Sequence, residues 1–231
     1  MTITVDTTPG GFRVNIPGFD SIIIRPIDID ADAPDLHDWV NRDYARFWGM
    51  RGKSLAEVRQ RYAEVPSDGK TRHLIAVLAS TGEKIGLLVY YWPEADELGP
   101  YISATAADRG CHIFLGPGDP KRKRSNLAFY LMVAVQHYAF SDPSVMRLVH
   151  QPDLGNEKVL IRLVQAGYEM GKILYLPYKT AQFVYMTRAR FQSLDREAPP
   201  PKTAYPHWRL KYRVHTFIGR VLRRLGLVRS A

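Results

Sequence analysis

Apolar and polar positions alternate at the start of the chain and then change period, and the changes mark the elements. Residues 2–16 alternate around Pro9-Gly10-Gly11, the pattern of a hairpin. The run Ser21-Ile22-Ile23-Ile24-Arg25 predicts a buried strand that Pro26 ends. Over residues 32–42 the period becomes helical: Asp32 can cap, Pro34 sits early, and Leu36, Trp39 and Val40 share a face. Residues 54–65 form a second helical pattern, in which Ser54 and Glu57 have the spacing of a capping box. Strand patterns at 73–78 and 85–92 flank a Ser80-Thr81-Gly82-Glu83 turn. A third strand pattern runs through His112. A strongly apolar helix is predicted over 127–140, a strand over 145–150, and a helix over 157–165 closed by Gly167. Residues 173–176 and 182–187 read as two last strands. Antiparallel neighbours mixed with one or two crossovers make the class α+β, or mixed α/β.

Composition adds a boundary. The 231 residues are 45% hydrophobic, enough to bury a substantial core. The net charge is +9, yet from residue 198 onward there are eight Lys/Arg and no Asp or Glu, which leaves about one net charge on residues 1–197. The high pI therefore describes a tail, and nucleic acid is not expected as a partner. Ala198-Pro199-Pro200-Pro201 reads as a stiff linker between a domain at 1–197, with residues 1–20 as its N-terminal hairpin, and a basic tail at 198–231. Trp208, Tyr212, Phe217, Ile218, Val221, Leu222 and Leu225 alternate with cations there, a pattern compatible with an amphipathic helix and with peripheral membrane contact. One cysteine, no secretory leader pattern and no apolar run long enough to span a bilayer give the expectation of a soluble, cytoplasmic protein.

Candidate chemistry gathers in one stretch. Asp108-Arg109-Gly110-Cys111-His112-Ile113-Phe114-Leu115-Gly116-Pro117 puts one imidazole among apolar strand positions, where it must be hydrated, hydrogen-bonded or used. Cys111 points to the opposite face of that strand and reads as a small core residue. Behind the strand, Lys121, Arg122, Lys123 and Arg124 lead through Ser125 into a helix that opens at Asn126. Cations before a helix start suit a polyphosphate, and a solvated loop suits them equally. A titratable base followed by an anion site suggests an acyl-CoA transferase. No His/Cys/Asp/Glu spacing suggests a metal site, and His73 and His137 read as structural.

Seven segments, in order over about residues 20–190, carry a resemblance. They are Leu36-His37-Asp38-Trp39-Val40-Asn41, Phe47-Trp48-Gly49-Met50, Tyr91-Trp92, Leu98-Gly99-Pro100-Tyr101, Asp108 to His112, Pro152-Asp153 with Asn156, and Leu176-Pro177-Tyr178-Lys179-Thr180-Ala181. Together they resemble the siderophore-biosynthesis branch of the GNAT (Gcn5-related N-acetyltransferase) family, which acylates the hydroxylamine nitrogen of N-hydroxylysine, N-hydroxyornithine and related diamines. The resemblance implies a central, mostly antiparallel twisted sheet flanked by helices, with acetyl-CoA or another acyl-CoA as co-substrate and no metal. Its implied acceptor is a small N-hydroxylated amine, and other siderophore assembly enzymes are possible partners.

The same resemblance implies that His112 is the catalytic base, while Asp153 reads either as structural at the end of its strand or as orienting the hydroxylamine oxygen. It places the CoA pyrophosphate on the loop that opens the following helix, here Arg122, Lys123, Arg124, Ser125 and Asn126; a backbone N–H of the His112 strand, taken as that of Phe114, would polarise the thioester carbonyl. Asn156 reads either as an N-cap or as a hydrogen-bond partner of the pantetheine arm or the acyl carbonyl. Trp48, Tyr91, Trp92 and Gln151 would line the acceptor site, although aromatic residues on half-buried strands are more often core, and the carboxylates of Glu94, Asp96 and Glu97 near Trp92 suit either an ammonium group or a solvated loop. The chain departs from the family at three places: cations replace a Gly-rich phosphate loop, Gln151 stands where an acidic residue is usual, and Val89 stands where Glu is expected. Two rival readings remain at this level. One is a GNAT enzyme acting on an ordinary primary amine, and the other is a non-catalytic binding module.

Overall fold

The structure is a computed structural model that describes residues 2–64, 69–118, 126–194 and 206–228, with the side chains of all of these except 206–210. The chain forms two compact units, one of Met1–Tyr91 with Cys111–Asp142 and one of Trp92–Gly110 with Pro143–Ala231.

In the first unit, β1 (Thr4–Thr8) and β2 (Gly11–Asn15) make the expected hairpin, and β3 (Ser21–Pro26), β4 (Thr71–Leu78) and β5 (Lys84–Tyr91) extend it as antiparallel neighbours. Helices α1 (Ile29–Asn41) and α2 (Leu55–Ala63) lie over one face. Leu36, Trp39 and Val40 from α1 and Val58 and Tyr62 from α2 form a core with Ile75, Val77, Leu87 and Phe114. The capping box of α2 forms as the sequence predicts, with Ser54 and Glu57 satisfying each other's backbone N–H groups. The cap of α1 does not. Asp28 is its N-cap, and Asp32, fully buried, takes two hydrogen bonds from Arg25 and an ion pair from Lys84. A carboxylate without solvent needs such partners, so burial rather than capping decides the place of Asp32.

Within β4, His73 is buried, and its Nδ1 lies 3.0 Å from the Tyr62 carbonyl. Desolvation holds its pKa below the ordinary value, which fits the structural role read from the sequence. The apolar helix α4 (Leu127–Phe140) is buried along most of its circumference. Its Tyr138 ring meets Phe12 and Tyr90 edge-on.

The second unit takes the first three residues of β6 (Asp108–Leu115), which pair in parallel with β7 (Arg147–His150). The unit continues through β9 (Thr180–Thr187), antiparallel to β7, and β8 (Glu169–Tyr175), antiparallel to β9 with an irregularity between Met170 and Ile173. Helices α3 (Gly99–Ile102), α5 (Glu157–Gln165), α6 (Arg188–Ser193) and α7 (Pro206–Arg224) complete it. Its core includes Leu98, Ile102, Val149, Leu174, Leu176 and Phe183. Asp108 is buried and grips Arg147 with two hydrogen bonds, at 2.8 and 2.6 Å, across the parallel pair. The α+β class and the mixed, mostly antiparallel strand pairing are those the sequence predicts.

Candidate functional site

Strand alternation positions His112. Its ring stacks on the Tyr91 ring from β5, with centroids 4.9 Å apart and planes 18° from parallel. Two residues on, Phe114 is buried and meets Trp48 edge-on at 4.9 Å and Trp39 in a stack at 6.3 Å. Gly116 completes the same face, where a Cβ would sit within 3 Å of the Trp39 indole. His112 is thus half-buried at the end of an aromatic row, held by a ring contact that fixes its plane. Cys111 faces the other way and is buried, and desolvation pushes its thiol far up, away from thiolate chemistry.

The backbone of β6 has a direction as well. The Gly116 N–H donates to the Ile85 carbonyl at 2.9 Å, and the Phe114 carbonyl lies against Gly86. Both groups turn toward β5, and alternation then turns the N–H groups of Ile113 and Leu115 to the other edge of the strand. Phe114 contributes its ring to the core, and its N–H lies on the β5 side.

Trp48 serves the core as much as any ligand, because its indole N–H donates to the Tyr62 hydroxyl at 2.6 Å. Val89 is also partly buried against this core, where a carboxylate would be costly. Asn126 begins α4 with φ 63° and makes no side-chain cap. The N–H groups of the first turn are therefore not taken by it, as an anion site at a helix start requires. Arg122, Lys123, Arg124 and Ser125 lie outside the described residues.

The second unit gathers a different set. Gln151, at the end of β7, is buried and hydrogen-bonds through its side chain to the Tyr178 phenol. Its amide oxygen is buried and has no hydrogen-bond partner among the described residues. Burial raises the Tyr178 pKa, and the Asp96 and Glu97 charges push it the same way. Lys179 lies 5.6 Å from the Tyr178 ring centre, half-buried, and desolvation lowers its pKa to about 8 against the pull of Asp153 and Asp96.

Asp153 bridges to Ala181 on β9, and its carboxylate accepts the Gly155 N–H at 2.7 Å. Asn156 starts α5 without a side-chain cap bond, so its amide is not used as the N-cap reading requires. Trp92 is half-buried and carries the Arg109 guanidinium 4.3 Å from its ring centre. One face of the indole is therefore covered.

The structure thus groups His112 with Tyr91, Phe114 with Trp48, and Gln151 with Tyr178, Lys179 and the carboxylates of Asp96 and Asp153. Lys179 and Tyr178 were absent from the residues singled out for chemistry, although they stand inside a quoted motif. Among the described residues no group of three or more His, Cys, Asp or Glu could hold a metal ion.

Comparisons with known proteins bear on the family. The acetyltransferase (GNAT) domain family matches residues 28–176. An N(6)-hydroxylysine O-acetyltransferase from Escherichia coli is 25% identical over 169 residues, 72% of this chain and 52% of that protein. The N(5)-hydroxyornithine:cis-anhydromevalonyl coenzyme A-N(5)-transacylase SIDF from Beauveria bassiana is 29% identical over 163 residues, 69% of this chain and 34% of that protein. The chain therefore aligns with about a third to a half of the length of these relatives. Among solved structures, an uncharacterized protein from Bacillus halodurans superposes with a TM-score of 0.68 at 19% identity, covering 84% of this chain and 92% of that one. The aminoglycoside acetyltransferase AAC(6')-Ib, solved with paromomycin and acetyl-CoA, superposes with a TM-score of 0.65 at 24% identity, covering 77% and 99%. With the family match over most of its length and the strand and helix order that accompanies it, this chain belongs to the acetyltransferase (GNAT) domain family.

Proposed function

We propose that the chain transfers an acyl group from an acyl-CoA, with acetyl-CoA the simplest donor, to the hydroxylamine nitrogen of an N-hydroxylated diamine or amino acid of the ornithine or lysine type. The product is a hydroxamate, and the place of the reaction is siderophore assembly. The observation that carries the choice of acceptor is the buried amide oxygen of Gln151, without a donor among the described residues and beside Tyr178, Asp96 and Lys179. A buried acceptor asks for a donor, and a hydroxylamine O–H supplies one. The nearby carboxylates suit the distal ammonium of a diamine. The names of the Escherichia coli and Beauveria bassiana relatives support the same substrate class.

In this reading α4 receives the CoA pyrophosphate at its Asn126 start, and Asn156 offers its amide to the pantetheine arm. The polarising N–H passes from Phe114 to Ile113, on the edge of β6 turned away from β5. His112, oriented by Tyr91, accepts the proton that the attacking nitrogen loses. The C–N bond forms, the C–S bond breaks, and CoA leaves as the thiol. Asp153 orients the hydroxylamine. Much of the rate comes from holding two bound reactants in register.

The test is CoA release from acetyl-, succinyl- and longer acyl-CoA with N-hydroxyornithine, N-hydroxylysine, N-hydroxyputrescine and N-hydroxycadaverine, each beside its unhydroxylated parent. Turnover confined to hydroxylated amines, with a product that chelates ferric iron, is expected. An acylated oxygen would not chelate, and turnover of plain amines alone would discard the siderophore role.

A further inference from the structure

Helix α7 lies beyond the stretch that matches the family, and it is built with two working faces. The inner face docks within the second unit. Tyr212 is buried, the His215 Nδ1 lies 2.6 Å from the Tyr175 hydroxyl, and Arg223 donates to the Leu176 carbonyl at 3.1 Å and the Thr180 hydroxyl at 3.2 Å. Gly219 sits so close to Thr180 that a side chain there would collide.

At 100° per residue, Val214, Phe217 and Val221 fall opposite Tyr212, Gly219 and Arg223. All three are exposed, Phe217 to 67%, and Leu225 and Leu227 just past the helix are exposed to 65% and 67%. These five are nearly half of the large exposed hydrophobics among the described residues, concentrated in about one sixteenth of the chain. Single exposed apolar side chains are ordinary, whereas a stripe of them needs a partner.

The borders of the stripe say which partner. Arg213, Arg220 and Arg224, spaced i, i+7, i+11, line one edge, and Lys211 lies on the other. All four are exposed, and residues 198–231 contain no Asp or Glu. Arg213 and Arg220 border an open groove that Glu157 of α5 also lines. A second copy of the chain, packed symmetrically on this stripe, would bring arginine rows together without a compensating acid. Anionic headgroups would compensate them. No described helix is long and apolar enough to cross a membrane, so the geometry is that of a helix lying in the interfacial plane.

We propose that the outward face of α7 docks the protein on an anionic phospholipid surface, with Phe217, Val221 and Leu225 entering the headgroup boundary and the arginine row meeting lipid phosphates. The proposal does not depend on the acyl acceptor. Its test is co-sedimentation of the full chain with vesicles of phosphatidylcholine alone and of phosphatidylcholine with one third phosphatidylglycerol.

Binding to the anionic vesicles only, weakened by salt, is expected. The double change Phe217→Ser with Val221→Ser should lower it about tenfold or more, and so should Arg213→Glu with Arg220→Glu, with the circular dichroism melt and CoA release unchanged. No sedimentation with anionic vesicles at low salt overturns the proposal. So does equal sedimentation of the variants, a dimer seen by light scattering that Phe217→Ser dissolves, or retention of duplex DNA in place of vesicles.

Discussion

At the scale of single residues, His112 and Lys179 make separable predictions. Removing the imidazole leaves the Tyr91 contact empty but exposes no buried charge, so the fold should survive. His112→Ala is expected to lower kcat by about 10² to 10⁴ at unchanged melting temperature, read by CoA release. An unchanged kcat would remove His112 from the base role. Lys179 acts through charge. In the proposed site it competes, as a cation, with a substrate ammonium for Asp96, and its lowered pKa, about 8, means that it becomes neutral as pH rises through that value.

A substrate whose distal amine stays protonated should therefore bind with falling KM as pH rises through about 8, and Lys179→Met should flatten that profile and lower KM at neutral pH. The stability linkage has the same sign. The unfolded chain holds this proton more tightly, so the Lys179 contribution to stability is present above the ordinary lysine range and is lost as pH falls through about 8. A KM profile identical in wild type and Lys179→Met would show that this amine does not face the substrate.

At the scale of elements, the motif around His112 divides its labour. Asp108 ties β6 to β7 through Arg147, Arg109 covers Trp92, and His112 stacks on Tyr91. Asp108→Ala would strand the Arg147 guanidinium and is expected to cost about 1.5–3 kcal/mol, the range for a hydrogen bond to a charged group, read as a fall in urea midpoint with little change in slope. A loss under half a kilocalorie would mean that the parallel pair is held by packing alone.

The elements also show what was legible. Helices over 127–140 and 157–165 fall where the sequence puts them, because a continuous apolar run and a closing glycine signal locally. The start of α1 is misplaced because Asp32 resembles a cap, while the partners that bury it, Arg25 and Lys84, come from β3 and β5. The early part of β8 was missed because Gly171 and a register irregularity break its alternation. His112 could be read from its surroundings in sequence. The association of Gln151 with Tyr178 and Lys179 could not, since it depends on β7 ending beside the turn between β8 and β9.

At the scale of the whole molecule, the open structural question is how firmly the tail helix is held. Residues 198–231 read in sequence as a basic appendage, yet α7 belongs to the second unit through one buried tyrosine, three polar contacts and a glycine approach. Such an inventory gives a local opening free energy below that of a core element, so α7 should be among the first segments to detach. Gly219 is the pivot, because β-branched bulk there must displace Thr180 or lift the helix. Gly219→Val is therefore expected to speed tryptic cleavage within α7 by about tenfold or more, since a detached helix offers its Lys and Arg sites at an equilibrium fraction set by the opening free energy. The remaining domain should keep its cooperative melt. Equal cleavage of wild type and Gly219→Val would mean that Arg223 and His215, rather than close backbone approach, hold the helix down, and His215→Ala with Arg223→Ala would then be the pair that frees it.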